Sequence, residues 1–256
     1  MLDELLIPSR YCGPPDSANG GYTAGALAHQ LPDEDPVTVT VRLQRPPLLD
    51  VPMPVTSQGG LLSLSHDADV IATAQRSEHD LEPVEPVSRE QARAASEVSP
   101  ALNHPFPTCF VCGPGREDGL RILPGQVDGS PIWAAPWTPD ESLLADFHEL
   151  SGPEARVCTA ATWAALDCPG GWAAGFGPEQ VMVLGSMTAR VEATPVVGEP
   201  HVVVAQRSSE QSTSGRTTRT SATLYDGDQR IVGTAEHIWV AVDPAAFGAV
   251  QIGAVQ

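Results

Sequence analysis

A turn of small residues near the start of the chain could bind an oxyanion. Asn19-Gly20-Gly21-Tyr22 leads directly into a short apolar helix, and its glycines let another molecule approach the main chain closely. The first turn of a helix carries amide groups without acceptors and a partial positive charge. The segment is therefore a candidate oxyanion hole, although Asn19 as a simple helix cap before a glycine turn accounts for the same residues.

A single acid, Asp167, ends a second predicted helix that begins at Glu154 and is otherwise apolar. Cys168-Pro169-Gly170-Gly171 follows and predicts the end of the helix. A carboxylate at this end opposes the helix dipole, and apolar surroundings should partly desolvate it. Asp167 is therefore the candidate carboxylate that activates water or attacks a carbonyl itself. In the structural alternative, Asp167 faces solvent or binds Trp172 or the turn that follows.

Each of these helices precedes four segments that are typical of strands, as in a duplicated domain. The first four are Val37 to Gln44, Val51 to Gln58, Leu61 to His66 and Val70 to Arg76. The second four are Val181 to Glu192, His201 to Ser208, Thr217 to Tyr225 and Ile231 to Val242. A helix before a run of strands favours an α+β fold over alternating βαβ units. One antiparallel sheet per half, wrapped around one helix, is the simplest packing.

These segments resemble a known family, the double hot-dog acyl-CoA thioesterases. Gly20-Gly21-Tyr22 is similar to the opening of their first helix, and Leu166-Asp167 is similar to the acid-bearing end of their second. Cys109-Phe110-Val111-Cys112-Gly113-Pro114 resembles the start of many small hot-dog thioesterases. The resemblance implies a double hot-dog with two antiparallel sheets, each wrapped around a central helix. We expect an N-terminal half at 1–87, a linker at 88–103 and a C-terminal half at 104–256.

The resemblance also implies hydrolysis of an acyl-CoA or a related acyl thioester, with one composite site per chain. In the family, the position of Asp167 is the catalytic acid, and a hydroxyl residue and an amide residue on later strands help to hold water. Glu236 and His237 stand where the amide is expected, which is a departure from the family. The candidate catalytic residues are Asp167, Gly21, Ser186, Thr188, His237 and Glu236. The candidate substrate-binding residues are Asn19, Gly20, Tyr22, Trp163, Arg190 and Arg216.

Two other functions stay open at the level of sequence. A hot-dog enoyl-CoA hydratase would need an Asp and a His in a short motif, and the chain has no Asp-x-Asn-Pro-x-x-His pattern. A non-catalytic protein that binds an acyl group or another small ligand is also compatible, because the water-holding amide of the family is not evident. The chain has no nucleophile elbow, no His-Glu-x-x-His and no Gly-x-Gly-x-x-Gly.

The charge and composition of the chain limit the classes of molecule that it is expected to bind. The chain has 32 acidic residues against 14 basic ones, a net charge of −18, and all its bases are arginine. This makes nucleic acid an unfavourable partner, and the missing lysines exclude Schiff-base chemistry. We expect a cytoplasmic protein without a membrane span or secretion signal, because no apolar run is long enough and the first residues are acidic. We further expect a homo-oligomer, a dimer of double hot-dogs, that acts on a thioester.

The cysteines raise the question of a metal. Cys109-x-x-Cys112 with His104 nearby is half of a zinc site, but no second Cys-x-x-Cys or His-x-x-x-His completes it in the sequence. An odd number of cysteines, five, is expected to stay reduced inside a cell. The sequence therefore predicts packed thiols, with no disulfide, no metal and no cofactor.

The sequence also predicts the structure of two connecting segments. The predicted linker contains a short helix from Ser88 to Glu97, in which Ser88 and Gln91 have the spacing of a capping box. The acidic segment Pro136 to Pro153 is either a lid over the site or a solvated loop.

Overall fold

The computed structural model describes residues 3–31, 36–143, 155–208 and 215–243. Its helices are α1 (Gly20–Ala28), α2 (Arg89–Glu97) and α3 (Thr159–Ala173). The strands of the first half are β1 (Glu4–Leu5), β2 (Val39–Leu43), β3 (Met53–Gln58), β4 (Leu61–His66) and β5 (Asp69–Arg76). Those of the second half are β6 (Gly125–Gln126), β7 (Trp133–Trp137), β8 (Val181–Val191), β9 (His201–Arg207), β10 (Thr217–Tyr225) and β11 (Ile231–Val242). Short 3-10 turns cover Ser9–Tyr11, Pro100–Asn103 and Glu141–Leu143.

The described strands form one antiparallel sheet, in the order β1-β3-β4-β5-β2-β8-β11-β10-β9-β7-β6. The two halves join where β2 pairs with β8, from Val39 opposite Ala189 to Arg42 opposite Ser186. The expectation of two antiparallel sheets, each wrapped around a central helix, is therefore not confirmed. Each half would leave an edge strand with unpaired backbone groups, and pairing β2 with β8 satisfies both edges at once.

The helices α1 and α3 pack against each other on one face of this sheet. Gly25 makes the contact close, because a Cβ at this position would lie 2.7 Å from Cβ of Trp163 and 2.8 Å from Cα of Ala160. One hydrophobic core contains residues of both helices and of strands from both halves, such as Leu62 in β4 and Leu224 in β10. The packing therefore makes the two halves a single structural unit.

Helix α3 differs from its prediction at both ends. Glu154, its expected start, lies outside the described residues, and the helix begins after Cys158, whose Sγ accepts the amide of Ala161. The helix continues through Pro169 to Ala173, so the predicted stop is wrong and Asp167 lies inside the helix. Tertiary packing overrides the local sequence here, because the helix is buried almost throughout against the sheet.

The predicted linker is largely ordered. The capping box of Ser88 and Gln91 is confirmed at the start of α2. Ala92 and Ala95 of this helix pack with Val204 and Tyr225 in a second, smaller core, on the sheet face away from α3. The linker helix thus covers the outer face of the C-terminal half, and the domain boundaries stay predictions.

Residues 144–153 of the acidic segment lie outside the described residues, so the lid remains a prediction. Within the described ranges, no helix combines the length and the apolar character needed to cross a bilayer.

Candidate functional site

The carboxylate of Asp167 lies at the N-terminus of α1. Its Oδ2 accepts hydrogen bonds from the amide of Gly21 at 2.9 Å and from Nδ2 of Asn19 at 3.1 Å. Its Oδ1 is buried and has no hydrogen-bond partner among the described residues. The side chain is therefore held through one oxygen, while the other oxygen is buried without a protein partner in the described ranges.

The sequence around Asn19 explains why α1 can hold this carboxylate. Asn19 caps the helix, since its Oδ1 accepts the amide of Tyr22 at 2.8 Å, and its Nδ2 is then directed to Asp167. Gly21 allows the contact, because a Cβ there would lie 2.3 Å from Cβ of Asp167. The prediction that Asn19 caps the helix is confirmed, and Asn19 also contacts Asp167, while the oxyanion hole stays a prediction. The Gly21 amide, however, donates to Asp167 and is not available as an oxyanion donor.

Burial raises the pKa of the Asp167 carboxyl from 3.8 to about 7, because the charged form is separated from water. The hydrogen bond from the Gly21 amide opposes this rise, while the nearby Cys109 adds to it. A carboxyl with a pKa near neutrality can both take up and release a proton at physiological pH, which is what general acid–base chemistry requires.

Asp167 lines a cavity of about 450 Å³ between α1, α3, the first residues of β8 and the last residues of β11. Asn19 and Gly20 line it on the α1 side, and apolar side chains such as Trp172 and Leu184 form much of the rest. Arg45 also lies on this wall, with a side chain that is 60% exposed and paired with Asp69 at 3.3 Å. The cavity therefore combines an apolar interior with a cation at its rim.

Three cysteines and a histidine form another part of the same cavity wall. Cys109, Cys112 and His104 come from the segment before β6, and Cys168 follows Asp167 in α3. Cys109 Sγ lies 3.8 Å from Cys112 Sγ and 3.9 Å from Cys168 Sγ. His104 Nε2 lies 2.9 Å from Cys112 Sγ.

The protonation of this cluster follows from its contacts. Hydrogen bonds from Cys112 and Cys168 hold the pKa of the Cys109 thiol well below its usual value, so Cys109 is the thiol that ionises most readily. Burial lowers the pKa of His104, which favours its neutral ring. The ligand atoms of His104, Cys109 and Cys112 lie within 4.8 Å of one another, so these residues could hold a metal ion.

His237 is on the helix side of the sheet but outside the residues that line the cavity. It abuts α3 at Gly170, where a Cβ would lie 2.8 Å from Nδ1 of His237. Its Nδ1 lies 3.2 Å from Oγ1 of Thr220, which accepts a hydrogen bond from Nε1 of Trp239. Burial lowers the pKa of His237 to about 4, so the ring is neutral at physiological pH.

Four other candidates lie on the opposite face of the sheet. In β8, Met187 and Ala189 are buried under the helices, so the alternate residues Ser186, Thr188 and Arg190 face the other way. Their contacts agree with this placement. Ser186 Oγ donates to Val41 O at 3.1 Å, Thr188 Oγ1 lies 2.9 Å from Thr40 Oγ1, Arg190 pairs with Glu192 at 2.6 Å, and Glu236 pairs with His79 at 2.9 Å. The structure therefore does not bring Ser186, Thr188, Glu236 or Arg190 to Asp167.

Three more candidates have other positions. Tyr22 stacks on Tyr11 with ring centroids 3.9 Å apart, and Trp163 packs against Gly25 in the helix interface. Arg216 is exposed just before β10. None of the three belongs to the described lining of the cavity. These residue types are suited to ligand binding, but the fold places their side chains away from the cavity.

Sequence reasoning missed Arg45, and it left His104 and Cys168 outside the predicted site. Cys168 directly follows Asp167, and this adjacency is the signal that could have connected the cysteines to the acid. Arg45 follows β2 without any motif, so only the folded chain brings it to the cavity.

No protein-family model matches the chain, and no curated protein matches it. Several solved structures, however, are similar to the chain. A conserved protein of unknown function with hot dog fold from Alicyclobacillus acidocaldarius has a TM-score of 0.56 at 14% identity, covering 94% of this chain and 93% of its own. An acyl-CoA thioesterase II from Mycobacterium marinum has a TM-score of 0.54 at 12% identity, covering 95% and 93%.

A third solved structure, the GphF dehydratase, has a TM-score of 0.58 at 14% identity and covers 93% of this chain and 92% of its own. Identities this low speak for architecture and not for a shared reaction. The likeness nevertheless extends over almost the whole length of each protein. The chain is therefore a hot-dog fold protein, and the likeness covers 93–95% of its length.

Proposed function

We propose that the protein hydrolyses an acyl thioester, such as an acyl-CoA, in the cavity beside Asp167. The observation that carries the proposal is the buried Oδ1 of Asp167, which has no protein partner among the described residues and belongs to a side chain on the cavity wall. Because Oδ2 is held by Gly21 and Asn19, the carboxylate keeps one orientation. A water bound to Oδ1 would therefore be held in a fixed position.

In this reaction Asp167 acts as a general base. The carboxylate takes a proton from the water as the water oxygen attacks the carbonyl carbon of the thioester. The resulting tetrahedral intermediate then breaks its C–S bond, and the leaving thiolate takes up the proton. The raised pKa of Asp167 supports both steps, because a carboxyl near neutrality exchanges protons readily.

The oxyanion of the intermediate needs a donor other than the Gly21 amide. Gly20 is the first residue of α1 and lies on the cavity wall. Its amide is one of the donors that a helix N-terminus leaves without an intrahelical acceptor. We therefore assign the oxyanion contact to the Gly20 amide, aided by the positive end of the α1 dipole.

The cavity suits an acyl group with a charged carrier. Apolar side chains form most of the interior, whereas Arg45 at the rim could meet a phosphate of coenzyme A. This replaces the role predicted for Arg190 and Arg216. The fold is also that of an acyl-CoA thioesterase II from Mycobacterium marinum, which supports the substrate class by analogy.

The test is thiol release from a panel of acyl-CoA esters by the wild type and by Asp167→Asn. The amide is similar in shape and can still accept from Gly21, but it cannot act as a base. We expect turnover to fall by about 10²-fold or more. Asp226→Asn, in an exposed turn of the same chain, is the matched control and should keep full activity. Equal turnover in Asp167→Asn and the control would refute the proposal.

A second candidate, hydration or dehydration of an enoyl thioester, is favoured by one observation. His104 lines the same cavity as Asp167, and a His with an Asp can move protons in such a reaction. The GphF dehydratase also shares the fold. A change in enoyl-CoA absorbance without thiol release would identify this activity, and thermal stabilisation by acyl-CoA without any turnover would identify a binding protein.

A further inference from the structure

The sulfur cluster beside Asp167 has the composition of a metal site. Three thiols and one imidazole, from two separate parts of the chain, meet at one wall of the cavity. The sequence left this set incomplete, because Cys168 lies far from Cys109-x-x-Cys112 along the chain. The fold supplies the missing thiol through α3.

We propose that Cys109, Cys112 and Cys168, together with His104, bind one thiophilic divalent cation, Zn²⁺ in the first instance. Thiolates with one imidazole are a ligand set that zinc commonly takes. With Zn–S bonds of about 2.3 Å, the sulfurs of a tetrahedral site lie about 3.8 Å apart. The separations of 3.8 Å and 3.9 Å from Cys109 Sγ to the other two sulfurs fit this spacing. Cys168 is not among the ligand atoms that lie within 4.8 Å of one another, so its side chain has to move towards His104 and Cys112 to complete the site.

His104 contributes through Nε2, the ring nitrogen that faces Cys112. The amide of Phe106 donates to Nδ1 at 2.7 Å and fixes the ring plane. While this bond is kept, the ring proton is on Nε2 and is donated to the Cys112 sulfur, which stabilises a thiolate. If the proton moves to Nδ1, with loss of the Phe106 bond, Nε2 can bind the ion itself. Ligation of the ion by His104 therefore requires the second arrangement.

A redox pair accounts less well for the same residues. A disulfide between Cys109 and Cys112 would leave Cys168 and His104 without a role in the cluster. The distance between the sulfurs of Cys109 and Cys112 would also have to shorten from 3.8 Å to about 2.05 Å. One cation, by contrast, would use all four groups, and its positive charge would compensate the burial of the thiolates that bind it.

The position of the site connects it to the cavity. Asp167 and Cys168 are adjacent in α3, and Asn19 contacts both, with Nδ2 3.8 Å from Cys168 Sγ. A bound cation would therefore fix α3 against the segment of His104 to Cys112 at the cavity wall. This inference does not depend on the proposed hydrolysis, since it concerns binding of the ion alone.

The experiment measures metal in the full chain, purified without chelator under reducing conditions. Elemental analysis should find about one Zn²⁺ per chain. After removal of zinc, titration with Co²⁺ should give the intense thiolate-to-cobalt absorption of a sulfur-rich site. The variants Cys109→Ser and Cys168→Ser should lose at least about tenfold in Co²⁺ affinity, and His104→Ala about 10- to 100-fold.

The matched control is Cys158→Ser. Cys158 is also buried, but its Sγ caps α3 by accepting the amide of Ala161, a task that serine performs well. Cys158→Ser should therefore bind Co²⁺ as the wild type does. A wild type that binds neither Zn²⁺ nor Co²⁺, or a Cys168→Ser variant that binds as the control does, would overturn the proposal. If a cysteine variant does not fold, a lower melting temperature of the wild type after chelation supports the site, and an unchanged one contradicts it.

Discussion

The two oxygens of Asp167 have different surroundings, and this asymmetry is the main chemical feature of the molecule. Oδ2 receives two hydrogen bonds from the start of α1, which would stabilise a charge. Burial works in the other direction and is the larger effect, as the pKa of about 7 shows. The result is a carboxyl that is oriented like a structural residue but is able to exchange a proton.

His237 shows the opposite effect of burial, on a base. Its neighbours Thr220, Trp239 and Gly170 are uncharged, and its pKa falls to about 4 from 6.5. Because the folded pKa is below the unfolded one, the unfolded chain binds more protons between these values. Stability is therefore full above pH 6.5 and is lost as the pH falls towards 4.

We expect the His237 contribution to fall by about 2 kcal/mol between pH 7 and pH 5. Urea unfolding of the wild type and of His237→Gln at both pH values measures it. The variant should lose less stability on acidification, since it has no imidazole to protonate. Other acid-sensitive groups, including any bound metal, affect both proteins and cancel in the comparison. An equal loss of stability in the two proteins would show that protonation of His237 does not destabilise the folded state.

Single residues were predictable where one local rule applies to them. Asn19 has a capping residue type directly before Gly20 and Gly21, and the cap is present. Only the family resemblance predicts a site role for Ser186, Thr188 and Glu236, and strand parity places them on the far face of the sheet. A one-residue difference in register decides between the two faces, and no residue in these strands fixes that register locally.

At the scale of elements, the contact between α1 and α3 positions the site. Glycines at positions 21 and 25 of α1 lie against Asp167 and Trp163 of α3, so the two helices approach closely without interposed side chains. The approach brings the amide of Gly21 within hydrogen-bonding distance of the carboxylate. The small residues of α1 thus act through helix packing, not only through the helix terminus.

Gly21→Ala tests this packing. The new Cβ would lie 2.3 Å from Cβ and 2.9 Å from Cγ of Asp167, so the helices must separate or the carboxylate must turn. We expect a loss of about 1–3 kcal/mol in the free energy of unfolding, with a loss of whatever activity depends on Asp167. Thermal or urea unfolding together with thiol release measures both.

The control for this substitution is Gly177→Ala, where an added Cβ meets no atom within 4 Å among the described residues. It should leave stability and activity nearly unchanged. If Gly21→Ala behaves like Gly177→Ala, the close approach of α1 to Asp167 is not important for either property.

Elements were more predictable than their ends. All eight strands expected from short, turn-bounded apolar segments are present, and the helix after Ser88 begins where its capping box predicts. The end of α3 was not predictable, because Pro169 and two glycines normally stop a helix. In the folded chain Gly170 and Gly171 lie against His237 and Trp239, so small residues are needed there for packing. That demand comes from a strand far along the chain.

At the scale of the whole molecule, the β2–β8 pairing makes one sheet from two halves. The halves were predictable from the repeated order of helix and strands, but their joining was not. An edge strand has open backbone groups whatever its sequence, so its partner is chosen by the position of both halves. The hydroxyl contact of Thr40 with Thr188 and the shared core on the helix side then support this choice.

A shared sheet and core predict cooperative unfolding of both halves. The five tryptophans lie between positions 133 and 239, so their fluorescence reports on the C-terminal half alone. Leu62 is fully buried in β4 of the N-terminal half. Leu62→Ala should lower the free energy of unfolding by about 2–5 kcal/mol. If the protein is one cooperative unit, this loss must also appear in the unfolding transition followed by tryptophan fluorescence.

Urea unfolding followed by tryptophan fluorescence and by far-ultraviolet circular dichroism tests the prediction. In Leu62→Ala, the transition midpoints measured by the two probes should move to lower urea concentration by the same amount and remain coincident. Leu61→Ala, the neighbouring residue that is 37% exposed, is the matched control and should shift neither probe much. A circular dichroism transition that shifts while the tryptophan transition stays in place would show that the halves unfold separately. In that case β2–β8 pairing joins two independent domains, and Asp167 could lose its α1 partners while its own half remains folded.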